Sequence, residues 1–157
     1  MKAKEGVLER LNTILTNELT AINQYFIHSE MCRSWGYERL YGKLREFSID
    51  EMKDAQQLIR HILYLQGVPN LQRLGTVRVG ENVPEDLRLD SEQEQAAVGT
   101  YAEAINHCAQ VGDYTTRGIL EEMVRDEEEH IDWLETQLET IAQVGLENYL
   151  TQQMHGD

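Results

Sequence analysis

Apolar residues recur along this chain with a three-to-four-residue rhythm, and in four places the rhythm is completed by an acid. The second apolar stripe runs Leu40, Leu44, Phe47, Leu58, Ile62 and Leu65. Filling its gap at helical spacing requires positions 51 and 54, which are Glu51 and Asp54. A later stripe, Leu120, Met123, Leu134, Leu138 and Ile141, has the same gap, filled by Glu127 and His130. Leu11, Ile14 and Leu15 lead into Glu18, with Ile22 and Tyr25 beyond it, and Leu87, Val98 and Tyr101 bracket Glu94. Residues i and i+3 sit about 60° apart around a helix, so each pair points inward together.

The periodicity predicts helices at about 5–35, 38–65, 84–111, 114–143 and 146–154, joined between the second and third by a crossover over 66–83. Gly36, the Gly112-Asp113 pair and Gly145 supply the short breaks. Tight breaks make antiparallel hairpins, first helix with second and third with fourth. The connection between hairpins holds Gly67, Pro69, Gly75, Gly80 and Pro84. Extended, it reaches roughly 55–60 Å, against roughly 40 Å for one of these helices, so it can run the length of a bundle. The alternation of Val77 and Val79 fits an extended strap. The expected fold is all-α: a single domain over 1–157, an antiparallel four-helix bundle with one long crossover and a short fifth helix.

The acids are also written twice. Glu18, Glu51 and Asp54 recur as Glu94, Glu127 and His130 at a constant offset of 76 positions. Burying carboxylates without compensation costs several kcal/mol per ion, so four mid-helix carboxylates in phase with the core call for bound cations. Oxygen donors with imidazole, and no thiolate, suit Fe, Mn or Zn. Glu51 and Glu127 are placed to bridge two ions, with Glu18 and Asp54 completing one position and Glu94 and His130 the other. Two adjacent Fe(II) ions can together reduce O2 or peroxide by two electrons. Tyr25, about two turns from Glu18, is a candidate for a hydrogen bond to this centre.

Charge narrows the partners. The chain carries 28 acidic against 14 basic residues, a formal net charge of -14. Such a surface repels nucleic-acid phosphates and anionic lipid while attracting cations. No apolar run approaches membrane-spanning length, and no signal-peptide pattern opens the chain. Cys32 and Cys108 have no metal-ligand spacing and read as reduced, small hydrophobic residues. The expected compartment is the cytoplasm.

The chain resembles the bacterioferritins over essentially its whole length. The resemblance is carried by Asn17-Glu18 with Ala21 to Phe26, Ser48 to Lys53, Gly67 to Gln72, Asp126 to Glu135 and Gly145 to Leu150. It implies a hollow 24-subunit cage built from dimers, Fe(II) oxidation at two iron positions per subunit, and storage of ferric mineral inside. It also implies haem b shared by two subunits with Met52 as axial ligand, and an electron-donor protein for iron release. On the same resemblance Asp50 orients His130, and Asp126 orients the residue at 54.

At position 54 the family pattern has His and this chain has Asp. The cluster becomes five carboxylates and one imidazole, more negative than two Fe(II) ions neutralise. Without metal, at least one carboxyl should then hold a proton. Asp126 would face a like charge, and the Glu18/Asp54 position is expected to be the weaker one. Glu46 and Phe47 also depart from residues found in some relatives. The expected function is an iron-storage ferroxidase. The alternative is a haem-bearing structural subunit with little oxidase activity, co-assembled with an active paralogous subunit.

Overall fold

The computed structural model describes residues 1–156. They form five helices, α1 (Val7–Ser34), α2 (Glu38–Tyr64), α3 (Val83–Val111), α4 (Tyr114–Val144) and α5 (Leu146–Gln153), with no strand among the described residues. Local chemistry sets the ends. Asn82 caps α3 by accepting from the Glu85 N–H at 2.9 Å, and Pro84 sits in the first turn, where no amide donor is needed. The α3–α4 turn closes on Gly112 at φ 75°, a left-handed conformation that glycine adopts freely. Asp113 then caps α4 through the Thr116 N–H at 3.0 Å.

α1 lies along α2 and α3 along α4; α1 also meets α3, and α5 folds back on α4 and α2. Tyr149 anchors α5, buried and donating to Gln137 Oε1 at 2.7 Å. An eight-residue helix would not persist alone, so this docking is what keeps it folded.

The crossover runs parallel to α1 and is held by polar side chains on that helix. Asn12 accepts from the Asn70 N–H at 2.8 Å, Thr20 from Gly75 at 2.8 Å, Gln24 from Arg78 at 3.0 Å, and His28 from Gly80 at 3.1 Å. Thr20, Gln24 and His28 are spaced by four, so one stripe of α1 serves as a rail for an extended backbone that has no sheet partner. His28 accepts at Nε2, so its Nδ1 carries the hydrogen and donates to Asp90 Oδ1 at 2.8 Å. A side chain at Gly80 would collide with Asp86, which is why the strap can pass here only as glycine. The expected apolar seating of the strap is only partial: Val77 is half-buried, while Val68, Leu71, Leu74 and Val79 are exposed. Hydrogen bonds, more than apolar burial, hold it down.

The bundle interior is two apolar blocks. One gathers Val7, Leu11, Leu15, Leu58, Ile62, Tyr101 and Leu120 at one end; the other gathers Tyr25, Leu40, Leu44, Phe47, Leu87 and Leu134 at the opposite end. Glu18, Glu51, Asp54, Glu94, Glu127 and His130 occupy the mid-helix turns between the residues of these blocks, and all six are buried. Each fully buried Leu contributes about 1.5–3 kcal/mol. Those blocks oppose the cost of the charged layer.

Candidate metal centre

Each helix of the bundle delivers part of one cluster: Glu18 from α1, Glu51 and Asp54 from α2, Glu94 from α3, and Glu127 and His130 from α4. Two overlapping donor sets result. Glu51, Glu94, Glu127 and His130 each offer a ligand atom within 4.8 Å of the others, and so do Glu18, Glu51, Asp54 and Glu127. Glu51 and Glu127 belong to both sets, as two bridging carboxylates would.

Six carboxylate oxygens here are buried with no hydrogen-bond partner among the described residues: Glu18 Oε2, Glu51 Oε2, Asp54 Oδ2, both oxygens of Glu94, and Glu127 Oε1. Unpartnered buried acceptors are rare in folded proteins, and six converging in one layer could serve as the donor set of a cation site.

Titration follows the crowding. Burial, then the charges of Glu18 and Glu94, pushes Glu51 well above the usual carboxylate range; burial with the same two neighbours does so for Glu127. Burial also raises Glu18, although the closeness of Glu51 and the hydrogen bond from Tyr101 oppose it. Asp54 is pushed up to about 8 by burial, then by Glu18 and Asp126. Glu94 goes the other way: burial raises it, but its closeness to Glu127 and to the His130 ring outweighs that and holds it low. Without metal, the layer therefore holds protons that incoming cations must displace.

His130 is held at both ring nitrogens and across one face. Its Nε2 lies 3.1 Å from Asp50 Oδ2, and its Nδ1 lies 3.1 Å from Glu51 Oε1 and 3.7 Å from Glu94 Oε2. Carboxylates at both ring nitrogens favour the doubly protonated ring, so although burial pulls its pKa down, Glu94 and Asp50 hold it above the usual value. Phe47 stacks on the imidazole at 4.0 Å between centroids with planes 24° apart. Tyr25 meets the ring edge-on at 6.0 Å.

The counterpart acid, Asp126, has no such partner. It is exposed, and its charge helps to raise Asp54. A cavity of about 470 Å³ between α2 and α4, lined by Lys43, Phe47, Asp50, Asp54, Asp126 and His130 among others, opens the centre to solvent on this side.

Tyr25 and Tyr101 exchange the parts expected of them. The Tyr25 hydroxyl is buried with no hydrogen-bond partner among the described residues. Tyr101 instead donates to Glu18 Oε1 at 2.6 Å, a short bond to a carboxylate. Sequence reasoning placed Tyr101 only in the apolar stripe of α3. The signal that could have found it is the repeat itself, since Tyr101 stands 76 positions after Tyr25. The stacking of Phe47 on His130 was likewise missed. Met52 leaves the core, as a step of one residue from inward-facing Glu51 dictates, and is 54% exposed.

Comparison with known proteins agrees with this architecture. The ferritin-like domain profile matches residues 8–144. The bacterioferritin of Brucella melitensis is 45% identical over 149 residues, covering 95% of this chain and 92% of that protein. The bacterioferritin of Mycobacterium leprae is 44% identical over 97% of this chain and 96% of its own length. The bacterial ferritin of Synechocystis is 43% identical over 98% of this chain and 99% of its own length. With its bundle, crossover and doubled carboxylate layer, this chain belongs to the bacterioferritin family of ferritin-like proteins.

Proposed function

We propose that this protein stores iron, oxidising Fe(II) at the buried cluster and holding the ferric product inside a cage of 24 copies. The observation that carries the reading is the pair of overlapping donor sets sharing Glu51 and Glu127. Two Fe(II) substrate ions held side by side each give up one electron, and one molecule of O2 or peroxide accepts both. Glu51 and Glu127 span the two ions. Glu18 and Asp54 complete one position; Glu94 and His130 complete the other.

The residues around the cluster hold its ligands in place. Asp50 keeps the His130 ring oriented so that Nδ1 faces the carboxylates, and Phe47 blocks its rotation. The Nδ1 proton leaves when an ion binds. Tyr101 fixes one oxygen of Glu18 and leaves the other free to coordinate. The cavity beside Asp54 and Asp126 supplies an acidic route by which cations enter.

A haem shared by two copies fits one feature of the surface. Met52 presents an exposed thioether on α2, and a second copy would supply a second one. Bound there, haem would supply a one-electron centre for reducing stored ferric iron, fed by an electron-donor protein. The cytoplasm suits such a store. No helix is long and apolar enough to cross a membrane among the described residues.

A second reading is favoured by Asp54 alone: a haem-bearing structural subunit, co-assembled with a paralogue that does the oxidation. Anaerobic Fe(II) titration of homogeneous cages followed by O2 separates the two. Two rapidly oxidised irons per chain support the ferroxidase; none supports the structural subunit.

A further inference from the structure

The two donor sets differ only in their outer members, and that difference is chemical. Glu94 and His130 complete one, so it offers imidazole nitrogen among carboxylates. Glu18 and Asp54 complete the other, which offers carboxylate oxygen alone. Oxygen-only sets suit hard cations such as Mn(II), Mg(II) and Ca(II), whereas imidazole moves the preference toward Fe, Zn, Cu and Ni.

Asp54 is a working member of its set rather than a gap. One of its oxygens lies within 4.8 Å of donor atoms of Glu18, Glu51 and Glu127. The residue is 7% exposed, and its Oδ2 has no hydrogen-bond partner among the described residues. Glu18 likewise keeps Oε2 unpartnered, because Tyr101 engages only Oε1. The opposite set is built around a rigid nitrogen donor, clamped by Phe47 and Asp50. Asp54 also lines the open cavity, so water can complete the shell of an ion bound beside it.

We infer that Asp54 is a specificity-determining residue: it makes the Glu18 position favour hard, oxygen-seeking divalent cations such as Mn(II), while the His130 position favours Fe(II) and Zn(II). The inference rests on the cluster being a metal centre, as proposed above. Zn(II) binds more tightly than Mn(II) at nearly any nitrogen or oxygen site, so the claim concerns the ratio of the two affinities at each position.

The test loads metal-free cages with Mn(II) under anaerobic conditions and adds Zn(II), reading released Mn(II) by its six-line electron paramagnetic resonance signal. Glu51→Gln, which removes a carboxylate shared by both positions, reports the background from surface acids. Release is expected in two steps, the second needing at least about tenfold more Zn(II), and Asp54→His should merge them. A single step in the unaltered chain, or two steps unchanged by Asp54→His, overturns the inference. Should Asp54→His fail to assemble, Asp54→Asn decides: weaker Mn(II) retention confined to the later-released ion supports it, and equal weakening of both ions overturns it. Retention in Glu51→Gln equal to that of the unaltered chain would end the metal-centre reading itself, and the selectivity with it. One merged step releasing two ions per chain ends only the selectivity.

Discussion

The two halves of the carboxylate layer come from hairpins that repeat each other, yet they are supported very differently. Around His130 the ring is held by Asp50 at one nitrogen, Glu51 and Glu94 at the other, Phe47 across one face and Tyr25 at the edge. Around Asp54 the supports are missing or repulsive. Asp126 brings a like charge where a histidine N–H would have been its partner, and among the described residues no ring stacks against the Asp54 carboxylate. A duplicated backbone therefore guarantees equivalent positions for two side chains but not equivalent environments. What surrounds a donor sets its charge, its orientation and its access to water.

The largest expected effect is one that ignores the difference between the halves. Glu127→Gln removes a carboxylate common to both donor sets and should slow Fe(II) oxidation by more than about 100-fold, beyond the range for residues that only support a ligand. Stopped-flow absorbance after mixing with O2 measures it, and a variant that keeps its rate would contradict a shared bridging role.

Next comes the pair of supporting acids. Asp50→Asn should weaken cation binding at the His130 position by about 10–100-fold, whereas Asp126→Asn should leave binding unchanged or slightly better because it relieves Asp54 of a like charge. Calorimetric titration with Zn(II) reads both. Equal losses would mean that the two acids do the same job and that the asymmetry is only geometric.

Placing an imidazole at position 54 tests the Asp54 half directly. Asp54→His should speed oxidation by roughly threefold to tenfold; unchanged rate and stoichiometry would show that the two positions are already matched.

The tyrosines offer a smaller contrast. Tyr101→Phe loses a buried hydrogen bond to Glu18 and should cost the metal-free protein about 1.5–3 kcal/mol, while Tyr25→Phe removes an unpartnered hydroxyl and should cost nothing or stabilise. Chemical denaturation of both variants tests this, and a larger loss for Tyr25→Phe would reverse their assigned parts.

The smallest effect is in pH. Asp54 stands at about 8 in the folded chain against 3.8 for an ordinary aspartate, so the fold prefers its protonated form. Its stabilising contribution is full in acid and is lost as pH rises through about 8. The metal-free protein should therefore melt lower at pH 9 than at pH 6, and Asp54→Asn should narrow that gap by about a few degrees. An unchanged gap would move the source of strain to Glu51 and Glu127.

Much was readable before any coordinates, because it is periodic or local. The 3.6-residue rhythm specifies helices and their inward faces, and it puts Glu18, Glu51, Glu94 and Glu127 in the core by phase alone. Pro84 and the Gly112-Asp113 pair mark helix ends, because their effects span only a few residues. A connection between the hairpins long enough to span the bundle allows α3 to run parallel to α2. The 76-residue repeat announces that the acids act together.

Tertiary structure alone decided which neighbours each of those residues meets. The repeat predicts that Tyr25 and Tyr101 are alike; packing gives only Tyr101 an acceptor, because a hydrogen bond is settled by a few tenths of an ångström that no periodicity encodes. The α1 rail was equally invisible, since Asn12, Thr20, Gln24 and His28 read as ordinary polar positions until the strap lies across them. The same holds for Phe47, an apolar residue on a core stripe that the crossing of α2 and α4 turns into a wall for His130. Residue phase is a property of one helix; contact is a property of two, and it depends on rotations and separations fixed only when the whole core closes.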